Sequence, residues 1–253
     1  MFRKIFAFIA GAAILAVGTL VPLGAYDLTP IVVQLRPSGA ASAQQMTITN
    51  SHEQPIAIEV KAYKREQLAD GTDRLVLETQ DILITPPQMV IAPKSSQTFK
   101  VRWVGDPSPE RELAYRIVTT QLPIKFKSRK TGDTTANVSL AYRYEAALYV
   151  TPPGKVPDAS LAQIQETTDS SGQTWLELSI KNDGSARALI DKPTLLLHSA
   201  GGSSVTLTGA QLAELQNLNV LAGSERKVRL PWPDNLPRGP VTGELQKTYT
   251  ILK

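Results

Sequence analysis

Apolar and polar residues alternate in short runs along most of this chain, and Pro, Gly, Asn or Asp separates the runs about every ten residues. Alternation with a period of two places successive side chains on opposite faces of a β-strand. In the first half of the chain after residue 25, these runs lie at residues 31–35, 45–50, 56–63, 74–79, 98–104, 114–122 and 138–150. Seven short strands with turn residues between them are typical of one immunoglobulin-like sandwich.

A proline-rich segment, TPPGKVP at residues 151–157, interrupts this pattern a little past the middle of the chain. Proline lacks the N–H group that a strand ladder needs, so no strand continues through the segment. We therefore predict one domain over residues 26–152 and a second over residues 153–253. Only residues 209–218 have apolar residues at helical spacing, and because that segment is short we expect a loop or a single turn there.

The second half of the chain repeats the first weakly. Residues 46–60 (MTITNSHEQPIAIEV) are similar to residues 176–190 (LELSIKNDGSARALI), each with a strand, an Asn-led turn and a strand. Residues 90–103 (VIAPKSSQTFKVRW) are similar in the same way to residues 220–232 (VLAGSERKVRLPW). The repeat predicts an all-β protein made of two sandwiches of related topology.

The first 25 residues have the composition of a secretory signal peptide. Arg3 and Lys4 precede an apolar run over residues 5–21, and the small residues Gly24 and Ala25 follow it. An uncleaved membrane anchor is the alternative, but a span needs about 20 apolar residues and this run is marginal. We predict export of a mature chain that begins near residue 26.

Composition narrows the chemistry that the chain could perform. The 253 residues include no cysteine, which excludes disulfides and thiolate chemistry, and only two histidines, His52 and His198. A secreted β-sandwich hydrolase is the enzyme alternative and would require one of these histidines. The net charge of +4 and the aromatic content of 6% argue against nucleic-acid binding, although Lys61, Lys64 and Arg65 cluster, as do the cations of residues 125–130.

The longest strand-like stretch is ANVSLAYRYEAALYV at residues 136–150. Its apolar set follows a period of two and consists of Ala136, Val138, Leu140, Tyr142, Tyr144, Ala146, Leu148 and Val150. This length is about three times that of an ordinary strand. Two interpretations stay open on this pattern: a central strand that runs into the linker, or an edge strand that offers its apolar side chains to a partner.

Four motifs together resemble a known family. They are ITN at residues 48–50, TPPQMVIAPKSSQTFKVRW at 85–103, PERELAYRIVTTQLP at 109–123 and ALYVTPPG at 147–154. In order and spacing they are similar to the PapD-like periplasmic pilus chaperones of the chaperone-usher pathway, most closely to the archaic branch. The resemblance is good over residues 28–153 and looser beyond.

This resemblance implies two immunoglobulin-like domains in an L-shaped arrangement and a non-enzymatic periplasmic chaperone. Such a chaperone binds pilin subunits one to one, lends its long strand to their incomplete fold and delivers them to an outer-membrane usher. No ATP, metal or other cofactor is implied, and we expect neither a nucleic-acid partner nor stable membrane insertion after signal cleavage. The side chains implied as donors are Val138, Leu140 and Tyr142, with Ala136 and Tyr144 beside them.

The family also anchors the subunit's C-terminal carboxylate with cations in the cleft between the domains. Here the sequence departs from the conventional pattern, because the family's lysine aligns with Ala147 and its arginine has no secure match. The resemblance favours Arg116 as the anchor, with Arg143 and Arg36 as further candidates.

Two alternatives concern assembly. An exported immunoglobulin-like structural or adhesive module would use the same edge strand for self-assembly and would form oligomers alone. A homodimer in which each copy caps the edge of the other is an open arrangement for the free chaperone.

Overall fold

The computed structural model describes residues 26–123 and 141–250. Within these ranges the regular elements are seventeen strands and two short 3-10 helices, and no α-helix is present. The all-β prediction is therefore confirmed. The predicted signal peptide, the charged segment at residues 125–130 and residues 136–140 of the long strand lie outside the described residues.

The first half of the chain forms two sheets. Its strands are β1 (Asp27–Thr29), β2 (Val32–Leu35), β3 (Ala43–Asn50), β4 (Ile56–Gln67), β5 (Asp73–Glu78), β6 (Ile82–Thr85), β7 (Gln88–Ile91), β8 (Ser95–Trp103), β9 (Leu113–Leu122) and β10 (Arg143–Val150). One sheet has the order β1-β3-β8-β6, and the other has the order β2-β10-β9-β4-β5 with β7 against β4. We call the second of these the six-strand sheet.

Burial of alternate residues holds the two sheets together. The first core takes its fully buried side chains from both, and among them are Met46, Ile48, Phe99, Ile58, Ile117 and Leu148. Each comes from a run whose period of two assigns its apolar set to one face. The first half of the chain is thus a sandwich of the immunoglobulin type.

The second half forms a further pair of sheets. Its strands are β11 (Ala159–Thr168), β12 (Thr174–Asn182), β13 (Ala188–Ser199), β14 (Ser204–Thr208), β15 (Asn219–Val220), β16 (Glu225–Pro231) and β17 (Val241–Tyr249). One sheet is β11-β12-β16, and in the other β13 pairs with β14, β15 and β17. The segment with helical spacing begins with a 3-10 helix, Gly209–Leu212, and its Leu212, Leu215 and Leu218 are buried in the second core.

The two cores are separate along the chain. The first extends to Val150, and the second begins at Ala159. The segment between them contains Pro152, Pro153 and Pro157. We propose the domain boundary between residues 152 and 153 on this basis.

The sequence repeat has a structural counterpart in two buried asparagines. The amide nitrogen of Asn50 donates to the carbonyls of Gln54, Ile91 and Ala92, at 2.9, 3.2 and 3.0 Å. The amide nitrogen of Asn182 donates to the carbonyls of Ala186, Val220 and Leu221, at 2.9, 2.9 and 3.2 Å. Both side chains are 0% exposed. Each asparagine therefore ties the turn after its own strand to a distant loop of the same sandwich.

Replacing either asparagine with alanine is expected to cost about 3 kcal/mol of unfolding free energy, because the buried carbonyls lose their donor. Urea denaturation followed by tryptophan fluorescence measures this, with Trp103 reporting on the first sandwich and Trp175 and Trp232 on the second. The exposed Gln45→Ala on β3 serves as the control and should change stability by less than about 0.5 kcal/mol. An equally small effect of Asn50→Ala would contradict the assigned role.

Candidate functional site

The long strand has two different environments along its length. Residues Ala147–Val150 of β10 pair with β9 on one side and, in parallel, with β2 on the other. Residues Arg143–Ala146 pair with β9, and no strand among residues 26–123 and 141–250 covers their other edge. The central-strand interpretation thus fits the C-terminal half of β10. The edge-strand interpretation fits the N-terminal half.

The open half of β10 keeps its apolar face on the same side as the first core. Tyr142 and Tyr144 are half-buried and pack against that core, and the Tyr144 ring lies edge-on to Tyr26 with a centroid separation of 4.7 Å. Burial raises the pKa of Tyr144 above its usual value. Three predicted donor residues lie outside the described residues: Ala136, Val138 and Leu140.

The structure places the three predicted anchor arginines apart from one another. Arg116 lies on β9 directly opposite Ala147, whereas Arg143 lies opposite Thr120 at the start of β10. Arg143 forms an ion pair with Glu145 on its own strand. Arg36 follows β2, is exposed, and donates from Nη1 to the Thr151 carbonyl at 3.0 Å.

Arg116 belongs to a cluster of charged side chains on the outer face of the six-strand sheet. Its Nη2 donates to Oδ2 of Asp73 at 2.8 Å, and Nε of Arg65 donates to the same oxygen at 2.8 Å. The side chains of Arg65, Asp73 and Arg116 are only 8%, 17% and 20% exposed. Partial burial makes these charge-assisted bonds stronger than pairs in open solvent.

The second sandwich adds Arg226 of β16 to this cluster. A Cβ built on Gly71 would lie 2.3 Å from Nη2 of Arg226, so the guanidinium occupies the space that any other residue would need. Gly71 also has a φ of +95°, which independently favours glycine. Beside it, the Lys227 amide donates to the Ala69 carbonyl at 2.7 Å. The hairpin between β4 and β5 therefore packs directly on β16.

Positive charge exceeds negative charge in this cluster, which we call the arginine cluster: Arg65, Arg116 and Arg226 around Asp73. Burial opposes ionisation of Asp73, but the hydrogen bonds from Arg65 and Arg116 outweigh it and hold its pKa below the usual value. Burial and the charge of Arg65 lower the pKa of Arg226. Among the described residues, Nε of Arg116, Nε of Arg226 and Oδ1 of Asp73 are buried without a hydrogen-bond partner. Unused donors and excess positive charge are what a bound anion requires.

A second set of contacts joins the two sandwiches beside the arginine cluster. Nη1 of Arg187 donates to Oε2 of Glu112 at 2.7 Å, and these side chains are 8% and 3% exposed. The Arg187 guanidinium also lies 3.7 Å from the centroid of the Tyr149 ring. The Tyr149 hydroxyl accepts from Nδ2 of Asn219 at 2.9 Å and from Nη1 of Arg65 at 3.3 Å. Tyr149 thus connects the end of β10 to both sandwiches.

Sequence reasoning missed Arg65, Asp73 and Arg226. It considered Arg65 only as part of a basic cluster with Lys61 and Lys64, when weighing nucleic-acid binding. A usable signal was strand parity, since Tyr63, Arg65 and Gln67 share the face of β4 that lies opposite the core. No local pattern could have added Arg226, which is distant in sequence.

The histidines, the metal-ligating side chains and the helices in the part of the chain that the structure describes bear on other functions. The two histidines lie in different sandwiches: His52 is near the Tyr142 ring, with centroids 6.2 Å apart, and Nδ1 of His198 is 2.8 Å from Oγ of Ser204. Residues 26–123 and 141–250 contain no group of three or more metal-ligating side chains. Over the same ranges no helix has the length and apolar content to cross a membrane.

Several solved structures share this fold. The class 5 fimbriae chaperone CfaA superimposes with a TM-score of 0.54 over 90% of this chain and 100% of its own, at 12% identity. The CsuC-CsuE chaperone-tip adhesion subunit complex of archaic Csu pili from Acinetobacter baumannii gives 0.54 over 88% and 98%, at 18% identity. The chaperone-tip adhesin complex of CFA/I fimbriae gives 0.54 over 88% and 98%, at 13% identity. The prediction of two immunoglobulin-like sandwiches is confirmed.

Sequence comparison identifies the family. No curated protein matches the chain. The family described as "Pili and flagellar-assembly chaperone, PapD N-terminal domain" matches residues 29–155, which is half of the chain. This is a family of chaperones and not a class of enzymes. The chain therefore belongs to the PapD-like family of pili and flagellar-assembly chaperones.

Proposed function

We propose that this chaperone works in the periplasm, binds pilin subunits one to one by donor-strand complementation, and delivers them to an outer-membrane usher. The observation that carries the proposal is the half-open β10, whose residues Arg143–Ala146 pair with β9 and have no strand on their other edge among residues 26–123 and 141–250. The solved complexes of CsuC with CsuE and of the CFA/I chaperone with its tip adhesin support the kind of partner. Residues 1–25 support export.

The physical reason for such a complex lies in two incomplete surfaces. A strand edge with free N–H and C=O groups binds another strand, and it aggregates if left exposed. A pilin that lacks its last strand exposes an apolar groove, and the face continued by Val138, Leu140 and Tyr142 would fill it. Burying three such side chains contributes roughly 4 to 8 kcal/mol before ordering costs.

The arginine cluster is the proposed anchor for the subunit's C-terminal carboxylate. Arg116 is in register with Ala147, at which the parallel pairing with β2 begins. Arg65 and Arg226 add two more guanidinium groups to the same place, and Nε of Arg116 and Nε of Arg226 have no partner in the part of the chain that the structure describes. Arg143 and Arg36 are weaker candidates, because Arg143 is paired with Glu145 and Arg36 with the Thr151 carbonyl.

Arg116→Gln is expected to weaken subunit binding about a hundredfold, because a buried charge-assisted bond to a carboxylate is lost. Surface plasmon resonance with a refolded pilin subunit measures this loss of affinity. A subunit with an amidated C-terminus should bind the unmodified chain and Arg116→Gln with the same affinity. Arg102→Gln, on the exposed face of β8, is the matched control and should bind within about twofold of the unmodified chain. A larger loss in Arg143→Gln than in Arg116→Gln would move the anchor to Arg143.

The proposed function itself is tested by purifying the tagged mature chain from periplasm in which pilins are being produced. Mass spectrometry should identify a pilin subunit in the purified material, and light scattering should give the mass of a one-to-one complex. A homo-oligomer of the chain without any pilin would support the self-assembling module and overturn the chaperone proposal.

A further inference from the structure

A carboxylate of the protein itself already occupies the arginine cluster. Oδ2 of Asp73 accepts hydrogen bonds from both Arg65 and Arg116, each at 2.8 Å. The second oxygen, Oδ1, is buried and has no hydrogen-bond partner within the described ranges. Asp73 thus presents to two arginines the same chemical group that a chain terminus would present, and it leaves part of its own hydrogen-bonding capacity unused.

The neighbouring structure holds Asp73 in this place. Asp73 is the first residue of β5 and pairs with Gln67 of β4. The Gln67 amide is fixed by the second sandwich, since its Nε2 donates to the Asn219 carbonyl and its Oε1 accepts from the Leu221 amide, both at 3.0 Å. The nearby Asp70 is not a second occupant, because its Oδ1 accepts from the amide and hydroxyl of Thr72.

We propose that Asp73 is an internal carboxylate that occupies the arginine cluster in the free chaperone and weakens the binding of an external carboxylate there. The inference rests on the anchor assigned under the proposed function. An external carboxylate is repelled by the charge of Asp73 and competes with it for the donors of Arg65 and Arg116. Each guanidinium has five N–H donors, and the buried Nε groups of Arg116 and Arg226 have no partner among the described residues, so they can bond an external carboxylate once it displaces Asp73.

Asp73 therefore sets how tightly the cleft holds its ligand. A binding site that carries its own anion releases an external anion more readily, and a chaperone must hand its subunit on. If Asp73 only positioned the arginines, its removal would weaken anion binding. If it competes with the ligand, removal of its charge strengthens anion binding. The two roles therefore predict changes of opposite sign in the affinity for an anion when the charge of Asp73 is removed.

The test uses the full mature chain, its Asp73→Asn variant and sodium acetate as the probe. Asparagine keeps the size and an acceptor oxygen but removes the charge. Titration at constant ionic strength is followed by NMR of the arginine Nε–H groups, with acetamide as the uncharged comparison. We expect the dissociation constant for acetate to be about tenfold lower in Asp73→Asn. Asp234→Asn, an exposed site in the second sandwich, has the same change in net charge and should leave the constant unchanged.

The outcomes separate this inference from the proposal on which it rests. Tighter acetate binding in Asp73→Asn supports the internal carboxylate. Unchanged or weaker binding in that variant overturns it but leaves the anchor in place. Absence of any acetate-specific shift at the Nε groups in both proteins would overturn the anchor itself, and the inference with it.

Discussion

Leu140→Asp is expected to lower the affinity for a pilin subunit at least about a thousandfold while the chaperone stays folded. Leu140 shares the strand parity of Tyr142 and Tyr144, whose side chains face the first core. In the proposed complex it would enter the subunit's apolar groove. The substitution loses about 2 kcal/mol of apolar burial and adds the cost of a buried, unpaired carboxylate. Equilibrium binding to the refolded subunit measures the loss.

Ser139→Asp is the matched control, because residue 139 has the opposite parity and would point away from the groove. It introduces the same charge one residue away and should bind within about threefold of the unmodified chain. Both variants should keep the urea midpoint of the unmodified chain, since in the proposed complex the side chain at 140 would contact the subunit and not the core of the chaperone. Loss of folding in Leu140→Asp would show instead that this part of the strand serves the core of the chaperone.

Arg187→Met is expected to destabilise the chain by about 3 to 5 kcal/mol, because it leaves the carboxylate of Glu112 buried without its partner. Methionine keeps an apolar side chain over the Tyr149 ring, so the lost contact is mainly electrostatic. Urea denaturation followed by circular dichroism gives the change in unfolding free energy. The double variant Glu112→Gln with Arg187→Met should recover most of the loss, since no buried charge remains. A loss of the same size in the double variant would mean that packing, not charge, dominates this contact.

Strand existence was predictable wherever a run was long enough to show its period. The runs at residues 56–63 and 114–122 became β4 and β9, and both sandwiches follow from such runs. The run at residues 31–35 predicted β2, but the similarly short β1, β6 and β7 were not predicted. Strands of three or four residues hold at most two alternations, so their period is easily missed. The asparagine of each sandwich was visible as a repeat, but its hydrogen bonds to a loop about 40 residues away were not.

The candidate site was only partly predictable. Arg116 came from the family resemblance, and the structure shows it in a charged cluster rather than isolated on its strand. Arg65, Asp73 and Arg226 meet it through two strand pairings and a contact between the sandwiches. Such a meeting depends on tertiary structure, and a basic run by itself usually marks a solvated face. A cluster of charged residues that are distant in sequence is therefore recognised only from the three-dimensional structure, whereas strands with alternating polarity can be predicted from the sequence.

The point at which β2 begins would limit the length of a subunit strand that pairs with the open edge of β10. β2 starts at Val32 and covers β10 from Ala147 onward, and the Ile31 carbonyl accepts from the Ala147 amide at 2.9 Å. A foreign strand on the same edge would have to end there, since two chains cannot occupy one set of ladder groups. The start of β2 would thus set the position at which the guest strand ends, and so its length. Variants that lengthen β2 by two residues toward its N-terminus would shorten the guest by two, and would leave the parity of every remaining contact intact.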